Sequence, residues 1–267
     1  MKHFQFAGLA ALFIVVASKL SAQDATELRA LAPRVTTLGF DYSRVTFLQG
    51  LDPWQFASMS LGRRTARGSM IGRVTYANRY GDSGGQVEVD AYPRLTANTY
   101  AYLSVGYSHS NIFPAWRSGG ELFTSLPQAW EVSLSYRQLW FDHAPVTLFT
   151  GAVGKYVGNY WISFRPYVRA VESSSSASGS VTARRYFADG DHFVGGRIGY
   201  GSTPPDQVTL DPDALARVRS LSISAQGSGG LFAGVLGTWL LGYDYEELAL
   251  ARIRRHWTAA TGLRIPI

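Results

Sequence analysis

Cysteine is absent from this chain, charge is sparse, and beyond residue 22 no apolar run is long enough to cross a bilayer as a helix. Without cysteine there are no disulfides, no thiolate metal ligands, no thiol nucleophile and no lipidated cysteine anchor. Charged residues make up 16% of the 267, where ordinary globular domains carry about 25%. The one apolar stretch of helical character, Phe6 to Val16, is shorter than the ~20 residues that a span requires. With Lys2 and His3 before it and Leu20-Ser21-Ala22 after it, residues 1–22 read as a cleaved secretory signal peptide. Residues 23–33, stopped by Pro33, read as a short periplasmic lead-in.

Aromatic residues are plentiful, and they fall into an alternating pattern. From Trp130 to Trp140 the even positions are Trp130, Val132, Leu134, Tyr136, Gln138 and Trp140, and the odd ones Glu131, Ser133, Ser135, Arg137 and Leu139. One face is apolar and the other polar, which is the period of a β-strand. Tryptophan closes the apolar face at both ends. Ten residues of strand tilted by roughly 40° rise about 26 Å, close to the apolar band of an outer-membrane barrel between its aromatic girdles. Residues 160–169 repeat the pattern, with Tyr160, Ile162, Phe164 and Val168 opposing Ser163, Arg165 and Arg169.

The same reading places strands at 37–43, 53–64, 68–80, 86–91, 99–108 and 117–125, and later at 144–156, 179–187, 190–201, 219–228, 231–245 and 251–266. Turns fall at Gly81–Gly85 and loops at 110–117, 173–178 and 202–218, the last broken by Pro204-Pro205 and carrying a capped helical turn from Asp211. Tyr243 to Glu247 reads as a solvated acidic loop or as a divalent-ion contact with lipopolysaccharide. The sum predicts an all-β fold: a transmembrane antiparallel up-and-down β-barrel of about fourteen strands, within twelve to sixteen, over residues 34–267. An even count puts both termini in the periplasm and makes 173–178 and 202–218 extracellular.

Three stretches carry a family resemblance. They are Tyr136-Arg137-Gln138-Leu139, then Gly158 to Tyr167 (GNYWISFRPY), then Ala183-Arg184-Arg185-Tyr186-Phe187 leading to Gly196-Arg197-Ile198-Gly199-Tyr200-Gly201 and Pro204. In this order the chain resembles the YaiO family of outer-membrane β-barrels over roughly 130–205. The resemblance implies a multi-pass barrel in the outer membrane of a Gram-negative bacterium. It brings no substrate and no catalytic set. The C-terminal Gly262 to Ile267 resembles the terminal-strand signal read by the outer-membrane assembly machinery, although it ends in isoleucine where an aromatic residue is usual.

Leaving out residues 1–22, with Lys2 and Lys19 and no acid, 23 basic residues stand against 19 acidic ones, and all the basic ones except Lys155 are arginine. Placing the apolar parity outward turns Arg73, Arg79, Arg137, Arg165, Arg169, Arg197, Arg252, Arg254 and Arg264 inward. The inward acids are Asp41, Glu88, Asp90 and Glu131, joined by Glu121 and Arg117 where the weak strand 117–125 is followed. Two readings stand side by side: an ion-pair network that stiffens and fills the barrel, or a cationic conduit for an anionic solute or a polysaccharide. Arg73, Arg79, Arg137, Arg165, Arg169, Arg197, Arg252 and Arg254 are the candidate binding residues. A barrel hydrolase is the third reading, with His109, beside Ser110 at a strand end, as its candidate, whereas His143, His192 and His256 read as rim or lumen residues. Asp211 and Asp213 are too sparse for a calcium loop, and Gly195 to Gly199 lacks the helix a phosphate loop needs. The expected partners are outer-membrane lipid and lipopolysaccharide, the assembly machinery and an anionic solute. No cofactor, metal or nucleic acid is expected.

Overall fold

The computed structural model describes residues 35–267 except 80, 142–144, 172–173, 188–189, 203–216, 233 and 249–251. Residues 1–34, and with them the signal peptide and the lead-in, lie outside it, as does the helical turn expected after Asp211. Fourteen strands form: β1 Val35–Phe47, β2 Trp54–Thr65, β3 Gly68–Arg79, β4 Asp82–Pro93, β5 Thr99–Tyr107, β6 Trp116–Leu126 and β7 Trp130–Trp140. Then come β8 Pro145–Val157, β9 Tyr160–Val171, β10 Ser174–Tyr186, β11 Phe193–Gly201, β12 Arg217–Phe232, β13 Val235–Leu248 and β14 Ile253–Pro266.

Each strand pairs antiparallel with its neighbours in the chain, and β1 pairs with β14 to close the barrel. That seam runs from Thr37 opposite Pro266 to Phe47 opposite His256. Closure gives every strand a partner on both edges, which hydrocarbon demands because it offers no water to an unpaired N–H or C=O. The expected strand number, order and even count are those observed.

The strand boundaries bring three corrections. Ser174 to Ser178 belong to β10 and not to a loop, so the β9–β10 connection shrinks to 172–173. Asp82 to Gly85 open β4, and of the expected turn only Gly81, at φ 79°, stands outside the strand. Tyr243 to Glu247 lie inside β13. Serine, glycine and acid clusters look like turn signals in one chain, but here a neighbour completes the ladder: β9 for Ser174 to Ser178, β3 for Asp82 to Gly85, and both β12 and β14 for Tyr243 to Glu247. In β13 the alternation also runs on through the charges: Asp244 and Glu246 face inward, Tyr243, Tyr245 and Glu247 outward.

The connection 108–115, the end of β11 and the start of β12 lie at the end opposite the chain termini, while the terminal end carries short turns such as 66–67 and 158–159. Short periplasmic turns and longer extracellular loops orient an outer-membrane barrel, so the termini end is periplasmic. Along β7 the outward face is apolar, with Leu134 75% exposed, while Ser135 beside it is buried in the interior. Trp116 and Trp140 mark the extracellular girdle, and Trp130 and Tyr160 the periplasmic one, where the Lys155 ammonium lies 4.5 Å above the Trp130 ring. This is the snorkelling position of an amphipathic side chain at a membrane boundary.

The face assignment is testable at adjacent positions. Leu134→Arg is expected to lower folding free energy in lipid by about 2–4 kcal/mol, the value for a charge near the bilayer midplane. Ser135→Ala should change it little. Urea titration of the refolded barrel, followed by the gel shift on boiling, checks both, and equal losses would mean the parity is reversed.

Candidate functional site

The interior is built from the charged halves of the alternating strands. Among the described residues, Arg73, Arg79, Arg117, Arg137, Arg165, Arg169, Arg184, Arg197, Arg254 and Arg264 point inward, against Asp41, Glu88, Asp90, Glu121, Glu131, Asp244 and Glu246. Among these residues the excess of positive charge is three, against the five counted from sequence, and Arg64 also faces inward at the periplasmic end of β2, beside Asp191. Asp244 and Glu246 became interior residues once their loop proved to be strand, and Glu121 and Arg117 took the inward places read for them. Arg252 does not join the set: it precedes β14, is exposed, and its carbonyl accepts from the Leu248 N–H in the β13–β14 connection. Arg184, assigned no role from sequence, is almost wholly covered within the barrel.

Two clusters hold most of the acids. In the first, Glu88 on β4 accepts from Arg73 at 3.3 Å and from Arg117, while Arg73 also approaches Asp90 at 3.3 Å. Tyr102 donates to Asp90 at 3.0 Å. Glu121 on β6 then gathers Arg165 at 2.6 Å, Arg137 at 3.9 Å and the Ser133 hydroxyl at 2.6 Å. Arg165 lies on β9, so its side chain reaches past β7 and β8 to meet that carboxylate. The second cluster lies toward the extracellular end. There Glu246 accepts from Arg254 at 2.6 Å, and His256 stands 3.3 Å from Asp244. The Arg79 guanidinium lies 4.2 Å over the Trp54 ring, with Arg254 at 5.5 Å from the same ring. At the seam, Arg264 holds Asp41 at 2.7 Å.

Glycine makes room for these stems. Across paired strands Gly106 faces Arg117, Gly119 faces Arg137, Gly195 faces Arg184 and Gly39 faces Arg264. A β-carbon at Gly106 would sit 2.8 Å from the Arg117 side chain, and at Gly195 2.8 Å from Arg184. Each of these arginines thus lies along the bare backbone of the adjacent strand, a device invisible until the register is known.

The acids avoid one side of the barrel. Strands β8, β9, β10, β11 and β12 contain no aspartate or glutamate at all. Their inward faces carry Arg165, Arg169, Arg184 and Arg197 among hydroxyls: Thr150, Ser163, Ser180, Thr182, Tyr167 and Tyr186. Arg197 donates to the Tyr167 hydroxyl at 3.2 Å, and Arg184 packs 4.9 Å over the Phe193 ring. Ser180 Oγ and Tyr186 Oη are buried without a hydrogen-bond partner among the described residues. A wall of fixed positive charge and hydroxyls, with no carboxylate of its own, can take up anions and polyhydroxyl groups. The signal was present in the sequence as the lack of any acid in these five strands; counting inward charges barrel-wide averaged it away.

Much of the interior is covered by side chains. Arg79, Asp90, Arg184, Thr75 and Thr258 are covered by their neighbours, whereas the side chains of Arg165 and Asp244 keep 20% and 26% of their surface open. At the periplasmic end Asp191, in the β10–β11 connection, comes within 4.0 Å of Arg64 on β2. Strands β12, β13, β14 and β1 lie between those two places on the wall, so this connection reaches across the mouth. His109 is exposed beyond β5, with Nε2 2.8 Å from the Tyr107 hydroxyl. His143 lies outside the described residues, and His192 sits half-exposed in the β10–β11 connection. Among the described residues no group of three or more histidine, aspartate and glutamate side chains is placed to hold a metal ion.

Fold and interior define an outer-membrane β-barrel with a charged lumen. The chain belongs to the YaiO membrane beta barrel domain family, whose model matches residues 35–206. Curated proteins give no match. Among solved structures, a bacterial polysaccharide outer membrane secretin is similar with TM-score 0.54 and 5% identity, over 87% of this chain and 98% of that one. OpdO of Pseudomonas aeruginosa is similar with TM-score 0.48 and 9% identity, over 88% and 96%. An anion-selective porin from Comamonas acidovorans has TM-score 0.47 and 7% identity, over 88% and 99%. At these identities the likeness is one of fold.

Glu121 is the test of the interior network. Glu121→Gln leaves Arg137 and Arg165 together in a largely covered site and is expected to cost about 3 kcal/mol in a urea titration. Adding Arg137→Gln and Arg165→Gln should recover most of that loss, because removing all the charges of a buried cluster is far less damaging than removing one side of it.

Proposed function

We propose that the barrel is a conduit for a solute across the outer membrane, that the solute is anionic and rich in hydroxyl groups, and that a polysaccharide chain fits this description. The acid-free arginine and hydroxyl wall of β8 to β12 is the observation that supports it most. Its binding residues are Arg165, Arg169 and Arg197, with Arg137 at its edge. Arg73, Arg79 and Arg254 belong instead to the opposing, ion-paired wall and shape the lumen from that side. Arginine keeps its charge at any usable pH, so the positive field of the wall is permanent. In a narrow passage with low-dielectric sides such a field acts more strongly than on an open surface.

A second reading has its own observation. The covered interior and the Arg64–Asp191 contact across the periplasmic mouth favour a barrel that rests closed. Electrical measurement separates the two. The refolded barrel in a planar bilayer should conduct, and its reversal potential in a low-salt gradient should show anion preference. Low salt is required because the Debye length shrinks from about 10 Å at 0.1 M to about 3 Å at 1 M. Arg169→Ser with Arg197→Ser should reduce the preference without unfolding the barrel. Cation selectivity would overturn the anionic reading, and absence of conductance would establish the closed one.

A further inference from the structure

The outer face carries a charged group that the lumen does not use. At the extracellular end of β12 the register with β13 shifts between Arg217 and Arg219, and a bulge of this kind re-aims the side chains that follow it. Arg219 emerges on the outer surface, 51% exposed at its side chain, paired with Glu247 on β13. Glu247 also accepts from the Tyr245 hydroxyl at 3.2 Å. Directly across the next strand pair, Arg255 on β14 faces Tyr245, with its guanidinium 5.5 Å over the Tyr245 ring. One step toward the membrane, Tyr243 pairs with Trp257, ring centroids 5.1 Å apart, as part of the extracellular girdle.

The height of this group decides what it meets. Below Tyr243 and Trp257 the outward residues are Leu241 and Ala259, which face hydrocarbon. Arg219 and Arg255 therefore stand just above the aromatic boundary, at the depth of the outer-leaflet headgroups. Two exposed forked cations against one carboxylate leave the patch positive. Glu247 pairs with Arg219 and the Tyr245 ring lies under Arg255, which brings the two guanidinium groups to one level of the outer face.

We propose that Arg219 and Arg255, oriented by Glu247 and Tyr245, form a docking site for the phosphorylated sugar headgroup of an outer-leaflet glycolipid. Glu247 acts here as an orienting acceptor for arginine, with no divalent ion needed to bring the headgroup to the barrel. The site is independent of whether the lumen conducts. The experiment uses the full-length barrel in detergent with diphosphorylated lipid A, its dephosphorylated form and phosphatidylglycerol as separate probes, read by retention in native mass spectrometry. The diphosphorylated lipid should be retained, and the dephosphorylated one and phosphatidylglycerol should not. Arg219→Gln with Arg255→Gln should weaken retention by about tenfold, and the two lysine replacements by less, because lysine keeps the charge without the fork. Arg63→Gln with Arg185→Gln, outward at the periplasmic end, should leave it unchanged. Equal retention of phosphatidylglycerol, or loss with the periplasmic-end pair as large as with Arg219 and Arg255, would overturn the proposal.

Discussion

Everything in this protein follows from having no water to satisfy its backbone. A strand edge facing hydrocarbon leaves a row of unpaired N–H and C=O groups, each costing several kcal/mol. The chain removes that cost by pairing β1 with β14 over eleven register positions, so the sheet has no edge. Closure then fixes the rest of the chemistry. Each strand shows one face to lipid and one to the interior, and the charges have only one place to go.

An interior of this size must be filled or wet, and this one is largely filled by arginine. Guanidinium groups suit that task because they are planar, stack on Trp54, Phe193 and Tyr167, and hold carboxylates from several directions. Glu121 shows the principle, with two arginines and a serine converging on one carboxylate. Glycines across the strand pair let the stems lie flat. The ion-paired side and the acid-free side are thus two materials with different electrostatics in one wall. Where acids are present the positive charge is neutralised locally. Along β8 to β12 the strands bring no acid of their own, and Arg165 reaches Glu121 on β6 for its carboxylate.

Much of this was legible in one dimension. The faces of β7 and β9, the girdle tryptophans and the count of fourteen strands came from parity alone, because side-chain alternation is set by the covalent geometry of an extended chain. The errors cluster at strand ends. Ser174 to Ser178 and Tyr243 to Glu247 have loop-like composition, and only the presence of paired neighbours makes them strand. Arg252 shares the parity of Arg254 and lies outside the lumen because β14 begins one residue after it.

By itself, then, the sequence determined that the chain forms a closed membrane barrel with an arginine-rich interior, since periodicity and composition are properties of single strands. The tertiary structure alone decided which charges meet. Arg165 and Glu121 are 44 residues apart, and Gly195 lies beneath Arg184 only through the β10–β11 register. Arg219 meets Glu247 at a bulge. Register, stagger and closure set which side chains share a level around the wall, and none of the three is written in any one strand.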